Sequence, residues 1–504
     1  MRILSAKQIK QVEQRAFDGE YTEAGLMLNA GTACFKKIIK EKYDLVSKGS
    51  TAVVCGNGKN AGDGFVIAKL LKEQGFEACI VLADKKPEIA EPLMYFNEAV
   101  EMSVPVINAG DYSFNRADCI VDCLFGIGFH GFPKPPFDRV INEINNSGAF
   151  VVSIDTPSGT DATTGEAQLA VSADMTVAIS TLKYAHILPP ANGLCGAVST
   201  VKIGIPESCY DDDSCYAHTI TKGEVRACFE PRDKNSHKGC FGRQLNICGS
   251  YLMPGAAVIA ASAAIKTGVG LLKCAFPKSI YNVITSHLFQ PVLKPLCENE
   301  SKTLSIGAMN DVFEELNWAD SVVIGCGLGN NDDTQVITGQ VIKTSEVPVV
   351  LDADGINAVA PFIDILKEKK APLVITPHPA EMARLVNSTV ADIQQNRIAC
   401  AKSFAQENDC VVLLKGANTV VTDGKQVFVN TTGNPGMAMG GSGDMLSGMI
   451  GSFIAQAMTP FNAAKSAAYI HGLCGDICAG ELSQRGMTVE DMLSLLGALM
   501  SEFE

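Results

Sequence analysis

The chain has 504 residues, which at about 100–200 residues per domain predicts two to four domains. Forty-one Lys and Arg against 55 Asp and Glu leave a formal charge of −14. That balance excludes nucleic acid as a partner, because a phosphate backbone needs clustered cations and no long Lys/Arg run is present. With 47% hydrophobic and 19% charged residues, the composition is that of a folded globular protein and lies outside the disordered class.

Eighteen cysteines are scattered through the chain, with no CxxC pair and no Cys/His cluster at zinc spacing. The opening MRILSAKQIKQVEQRAF carries charges where a secretory leader would be apolar. Cysteine used as a small buried hydrophobe in a reducing compartment, and hence a cytoplasmic protein, is the expectation. Two apolar, small-residue stretches, 254–276 and 435–458, contain Lys266 and Asp444 and are broken by glycines. They read as buried helices, not membrane spans.

In chain order, helical spacing runs from Ala6 to Ala16 and from Leu26 to Ile39. A strand at 51–56 then enters a glycine loop, Gly56 to Gly64, with a helix over about 64–74. Strands follow at 77–83, 117–126, 149–159, 175–181 and 197–204. Alternation of short β-rich runs with helical segments predicts a parallel, doubly wound α/β sheet. The segment 206–222, with its acidic triplet and turn residues, is the expected linker. A second α/β rhythm has strands at 244–249, 270–276, 321–327, 348–354, 372–377, 410–416 and 418–424, with Ala-rich helices between them.

The loop GNGKNAGDG lacks both the GxGxxG and the GK[ST] spacings, so neither a dehydrogenase nor a P-loop follows from it. Its glycines allow amides at a helix start to face a phosphate. Asp122 and Asp155 stand near the ends of later strands, where ligands of open α/β sheets bind. Together these segments offer amides for phosphate, hard oxygens for a cation and a carboxylate for proton transfer.

VVCGNGKNAGDGFVIAKLL, DCLFGIG and IDTPSG, in that order, resemble the NAD(P)H-hydrate epimerase domain over most of 1–215. The resemblance implies a Rossmann-like sheet. It implies substrate contacts from Lys59, Asn60, Ala61, Gly62 and Asp63, and from Gly126, Ile127, Gly128, Phe129, His130, Gly131 and Phe132. Potassium would be held by Asn60, Asp122 and Ser158, with Asp155 as acid/base at the reacting carbon. The family loop carries two Asn and two Gly at its centre, where this chain has Lys59 and Ala61 as departures. Lys59 adds a charge suited to a phosphate.

In the second half, GGSGDMLSG frees amides at a helix start and places Asp444 in the first turn. That pattern activates a hydroxyl beside a transferable phosphate. Taken alone it is shared by ribokinase-like small-molecule kinases. HKG (237–239), DADGIN (352–357), TPHPAEMARL and NPGMAMGGSGD together resemble the ADP/ATP-dependent NAD(P)H-hydrate dehydratase domain over roughly 223–504. The resemblance implies a ribokinase-like fold and adenine-nucleotide contacts from Lys415, Gly416, Ala417, Asn418, Thr419 and Gly443. Substrate contacts would come from Ala257, Gly327, His378 and Asp444, with Asp444 catalytic. Magnesium accompanies the ADP or ATP. Lys238 and Lys415 are the expected phosphate partners, Lys415 the better placed because it ends a strand, and His471 reads as a packing residue nearby.

Fusion of the two domains implies repair of both NADHX and NADPHX: epimerisation of the R and S hydrates, then dehydration of the S form with release of AMP or ADP and phosphate. The resemblance also implies a homo-oligomer, with a tetramer as the expected assembly. Two other functions fit parts of the pattern. A kinase for a vitamin or sugar hydroxyl would release a stable phosphorylated product. A non-catalytic N-terminal nucleotide-binding module would tolerate loss of Asp155.

Overall fold

The computed structural model describes residues 1–211 and 216–504, and the chain divides into two compact units, Met1–Ala217 and His218–Glu504. Part of the expected linker, Asp212 to Cys215, lies outside the described residues.

In the first unit the strands are β1 (Arg2–Leu4), β2 (Thr51–Cys55), β3 (Ala78–Leu82), β4 (Val106–Asn108), β5 (Cys119–Cys123), β6 (Phe150–Ile154), β7 (Met175–Ile179), β8 (Leu182–Lys183) and β9 (Ala197–Val201). Seven of them form a sheet in the order β4-β3-β2-β5-β6-β7-β9, parallel throughout. Every residue of β2 and β5 is buried, as a parallel sheet covered on both faces requires. One face packs on Phe65, Ile67 and Leu71, the other on Val140, Ile141 and Ile144. β1 pairs with β8, setting Leu4 beside Lys183.

The first helix, Ala6–Phe17, starts at a reciprocal Ser5/Gln8 cap and buries Ala6, Ile9, Val12 and Ala16 along one stripe. The next runs from Glu23 to Lys48. The third begins at Lys59, five residues before the expected start, so the centre of the glycine motif is helical and not a loop. Gly62 allows this: a Cβ there would lie 2.1 Å from the Met27 sulfur of the preceding helix. Ala61 is fully buried in ordinary helical geometry, so its methyl group packs without backbone strain.

The division between units falls at a short strand, β10 (Ala217–Thr219). The second unit contains β11 (Arg243–Ile247), β12 (Leu271–Pro277), β13 (Val292–Leu296), β14 (Ser321–Ile324), β15 (Val349–Leu351), β16 (Leu373–Ile375), β17 (Val411–Leu414), β18 (Val420–Thr422) and β19 (Val427–Val429). They follow the order β13-β12-β11-β14-β15-β16-β17-β18-β19, parallel up to β17 and antiparallel beyond it. Helices Pro254–Lys266 and Ser442–Ala455 cross the sheet in close contact. Gly448 sits at that crossing, where a Cβ would meet the Ala260 carbonyl oxygen at 2.1 Å. The stretch 254–276 is therefore a helix followed by strand β12, not one helix.

Among the described residues no helix is long and apolar enough to cross a membrane. Seventeen described cysteines are free thiols, twelve of them buried: Cys34, Cys55, Cys119, Cys123, Cys195, Cys209, Cys248, Cys274, Cys326, Cys410, Cys474 and Cys478.

Candidate active sites

In the first unit the strand order reverses direction between β2 and β5, the crevice where open α/β sheets bind ligands. A cavity of about 820 Å³ opens there. Lys59, Asn60, Asp63, Gly126, Ile127, Gly128, Phe129, His130 and Asp155 line it, whereas Ala61 and Gly62 face the protein interior and Gly131 and Phe132 lie outside the wall. Lys59 differs from the expectation of a free phosphate partner: its ammonium is 2.5 Å from Glu23.

Asn60, Asp122 and Ser158 converge on the Phe125 carbonyl. Asn60 Nδ2 donates to that oxygen at 2.8 Å, and the Phe125 amide donates to Ser158 Oγ at 2.9 Å. Ser158 Oγ donates to Asp122 Oδ1 at 2.6 Å, while Oδ2 accepts from the Ser158 amide at 2.9 Å and from Ser153 Oγ at 2.8 Å. Asp122 is fully buried, and burial raises its pKa. The donor set is all hard oxygen, as an alkali cation requires, and the Ser158 hydroxyl can turn its lone pairs outward.

Asp155 follows β6 with φ +69°, and its Oδ1 accepts from the Ile179 amide at 3.2 Å. The same oxygen is ion-paired to Lys183. His186 lies beneath it: Nδ1 accepts from the Lys183 amide at 2.9 Å and Nε2 meets the Asp155 carbonyl at 2.8 Å. The first contact leaves the ring proton on Nε2. Burial pushes His186 down to about 4. Glu13, Glu23 and Asp63 are the cavity's other acids, and burial together with the nearby Asp155 raises Glu13 and Asp63. Glu13, Lys183 and His186 were not singled out from the sequence. Lys183 stands one turn past an expected strand end, the only signal that marks it.

In the second unit the strand order reverses between β11 and β14. Gly249, just past β11, donates its amide to the Cys326 carbonyl at 2.8 Å, closing the crevice floor. A Cβ on Gly327 would lie 2.7 Å from Ala256, so Gly327 and the Ala257 helix start face one another. One donor atom each from Cys326, Asp352 and Asp444 lies within 4.8 Å of the others.

Asp444 projects from the first turn of Ser442–Ala455, whose N-cap is Gly441 at φ +90°. Burial, then the charge of Asp352, pushes its carboxyl up to about 6. Asp352, at the end of β15, behaves oppositely. It is fully buried, yet Lys415 at 2.7 Å and the Ser447 hydroxyl at 2.7 Å hold its pKa down. Asp352 belongs to the DADGIN motif but was not assigned a role from the sequence.

Lys415 therefore stands where expected, after β17, and Gly443 lies against it, with a Cβ there 3.3 Å from Nζ. Arg397 anchors the turn by donating to the Leu414 and Lys415 carbonyls at 3.0 and 3.1 Å. Thr419 Oγ1 donates to the Gly416 carbonyl at 3.0 Å. His378 caps the helix Pro379–Leu385, its Nδ1 accepting from Ala380 and Glu381 amides. Its Nε2 is 3.3 Å from Glu381, which burial pushes up to about 7. His471 packs below the site, 3.4 Å from Ser442 Oγ, and Lys238 is exposed.

Two family models match: "NAD(P)H-hydrate dehydratase" over residues 245–496 and "YjeF-related protein N-terminus" over 23–185. The chain is 33% identical to the bifunctional NAD(P)H-hydrate repair enzyme of Moorella thermoacetica, over all of this chain and 97% of that one. It is 33% identical to the enzyme of the same name from Escherichia coli, over 94% of this chain and 89% of that one. The chain belongs to the bifunctional NAD(P)H-hydrate repair family. A ribokinase-like superfamily protein from Enterococcus faecalis, 23% identical with a TM-score of 0.51, covers 58% of this chain and 98% of its own and shows the fold alone. Family membership makes the chain an enzyme of hydrate epimerisation and dehydration, with the expected pair of α/β folds.

Proposed function

We propose that each unit carries one half of the repair with the residues described above. The observation that carries this reading is a carboxylate at the carboxyl end of each parallel sheet: Asp155 facing an 820 Å³ cavity, and Asp444 at a glycine-opened helix start beside Lys415.

In the first unit Asp155 takes the proton of the C6 hydroxyl as the C6–N1 bond breaks and its electron pair passes to N1. The carboxyl then returns that proton to N1, giving a ring-opened aldehyde and amine. Rotation and the reverse steps close either epimer. Asn60, Asp122 and Ser158 would hold potassium, which supplies positive charge against the dinucleotide phosphates when bound.

In the second unit Asp444 takes the hydroxyl proton of the S form as the oxygen attacks the terminal phosphorus of the nucleotide, and the bridging P–O bond breaks to release AMP from ADP or ADP from ATP. The N1 lone pair then expels phosphate and restores the C5–C6 double bond as a proton leaves C5. Lys415, the 415–419 turn and the Gly443 amide bind the phosphates of ADP or ATP, with magnesium supplying charge neutralisation there. Ala257, Gly327 and His378 position the nicotinamide. The free thiols suit a cytoplasmic setting, and light scattering tests the homo-oligomer that the resemblance implies.

The test is recovery of the near-ultraviolet absorbance of reduced nicotinamide from mixed R and S hydrates of NADH or NADPH, with potassium, magnesium and either ADP or ATP. Complete recovery is expected, and the nucleotide that works is the donor. Recovery that stops when the S form is exhausted would overturn the epimerase half. Accumulation of a stable phosphorylated product would replace the dehydratase half by a small-molecule kinase.

A further inference from the structure

The floor of the first unit's cavity brings together three acids, Glu13, Asp63 and Asp155, with a single buried lysine. The side chain of Lys183 is 1% exposed. Its Nζ donates to Asp155 Oδ1, to the Ile179 carbonyl at 2.6 Å and to the Thr181 carbonyl at 3.1 Å. An ammonium has three N–H donors, and all three are used. Lys183 therefore has none left to offer a substrate.

We infer that Lys183 is a positioning residue for epimerisation: it binds Asp155 Oδ1, leaves Oδ2 turned to the substrate, and gives no proton to the substrate itself. The inference rests on the reading of Asp155 as the acid/base.

Three features of the geometry support it. Both the lysine and the Ile179 amide bind Oδ1, so Oδ2 is the oxygen free to exchange a proton. The backbone of Asp155 is fixed from below by the His186 ring, which itself is seated by the Lys183 amide, so one short segment, 183–186, sets both charge and orientation. The lysine also selects among the acids. Glu13 comes from the first helix, Asp63 from the third, and the Cys34 thiol from the second; burial and the charge of Asp155 raise all three. Lys59, the other cation at the wall, is engaged by Glu23, and His186 is neutral at ordinary pH. Among these acids, Asp155 is the one with which Lys183 forms its ion pair.

The experiment uses the full chain and follows R-to-S conversion by chromatography, without nucleotide, across pH 5–9. Hydrogen exchange in β2 and β5 reports that the first unit is folded, and dehydration of the S form reports the second. K183M is expected to lower kcat by about 10²-fold, with KM within about twofold of wild type, since a misplaced catalytic group costs that much. K183R keeps donors for Oδ1 and is expected to bring kcat back to within about tenfold of wild type.

A K183M profile that coincides with wild type overturns the inference. So does K183M inactive at every pH while the first unit keeps its fold, because Lys183 would then be the proton donor. If K183M loses its fold, K183R decides: a kcat lowered by about 10²-fold or more overturns the inference. Failure of the wild-type chain to epimerise at any pH would instead overturn the role of Asp155 on which this one rests.

Discussion

The base proposed for the dehydration step, Asp444, should titrate within the working pH range. Asp444 is half-buried, close to Asp352, and its carboxyl is pushed up to about 6. A base must be deprotonated to act, so activity is lost as pH falls through that value. The fraction ionised is about nine-tenths at pH 7 and about one-tenth at pH 5, so the rate should drop nearly tenfold between them. The assay is absorbance recovery from purified S hydrate with saturating nucleotide, magnesium and a constant ionic strength. D444N removes the base outright and should lower dehydration by about 10²–10⁴-fold while epimerisation continues. A limb near 7 would assign the titration to Glu381, which burial places at about 7. D444N with wild-type dehydration, or loss of both activities together, would refute the assignment.

Two further variants probe the second unit. K415M strips the cation from fully buried Asp352 and should destabilise the unit by about 3–5 kcal/mol as well as abolish nucleotide-dependent recovery, measured by urea unfolding and by absorbance. G448A places a methyl group 2.1 Å from the Ala260 carbonyl at the closest helix crossing; overpacking of about 1–3 kcal/mol should appear as a lower unfolding midpoint.

What was legible in the sequence follows from how far each signal is local. β2, β5, β6, β14 and β17 are mainly apolar and β-branched runs, and a buried parallel strand announces itself in that way. β4 and β13 carry exposed positions, and β8 and β19 have only two and three residues. Their pairing is set by tertiary neighbours, which no short window contains. The helix that starts at Lys59 was placed late because glycines read as loop, whereas here Gly62 serves close helix packing against Met27. Asp155, Asp444 and Lys415 were visible because chemistry at strand ends and helix starts sits in recognisable local contexts. Glu13, Lys183 and Asp352 matter through partners 28 to 142 positions away: Lys183 is 28 from Asp155, Asp352 is 63 from Lys415, and Glu13 is 142 from Asp155.

The two units use one electrostatic device for opposite ends. In each, a carboxylate at the end of a parallel strand is held by a buried lysine that follows later in the chain: Asp155 by Lys183, Asp352 by Lys415. In the first unit the paired acid is the proposed acid/base. Epimerisation is a reversible proton exchange with no net change in charge, so a carboxylate fixed in place and returned to the same state after each turn is what it needs. In the second unit the paired acid is not the proposed base. Burial raises Asp444, and Asp352, charged beside Lys415, raises it further; Asp444 does not share the lysine's hydrogen bond. Attack on a phosphate needs a base strong enough to take an alcohol proton yet ionised at neutral pH, and a carboxyl at about 6 meets both demands better than one near its ordinary value. Where the lysine is placed, on the working acid or on its neighbour, decides which kind of proton transfer each unit can perform.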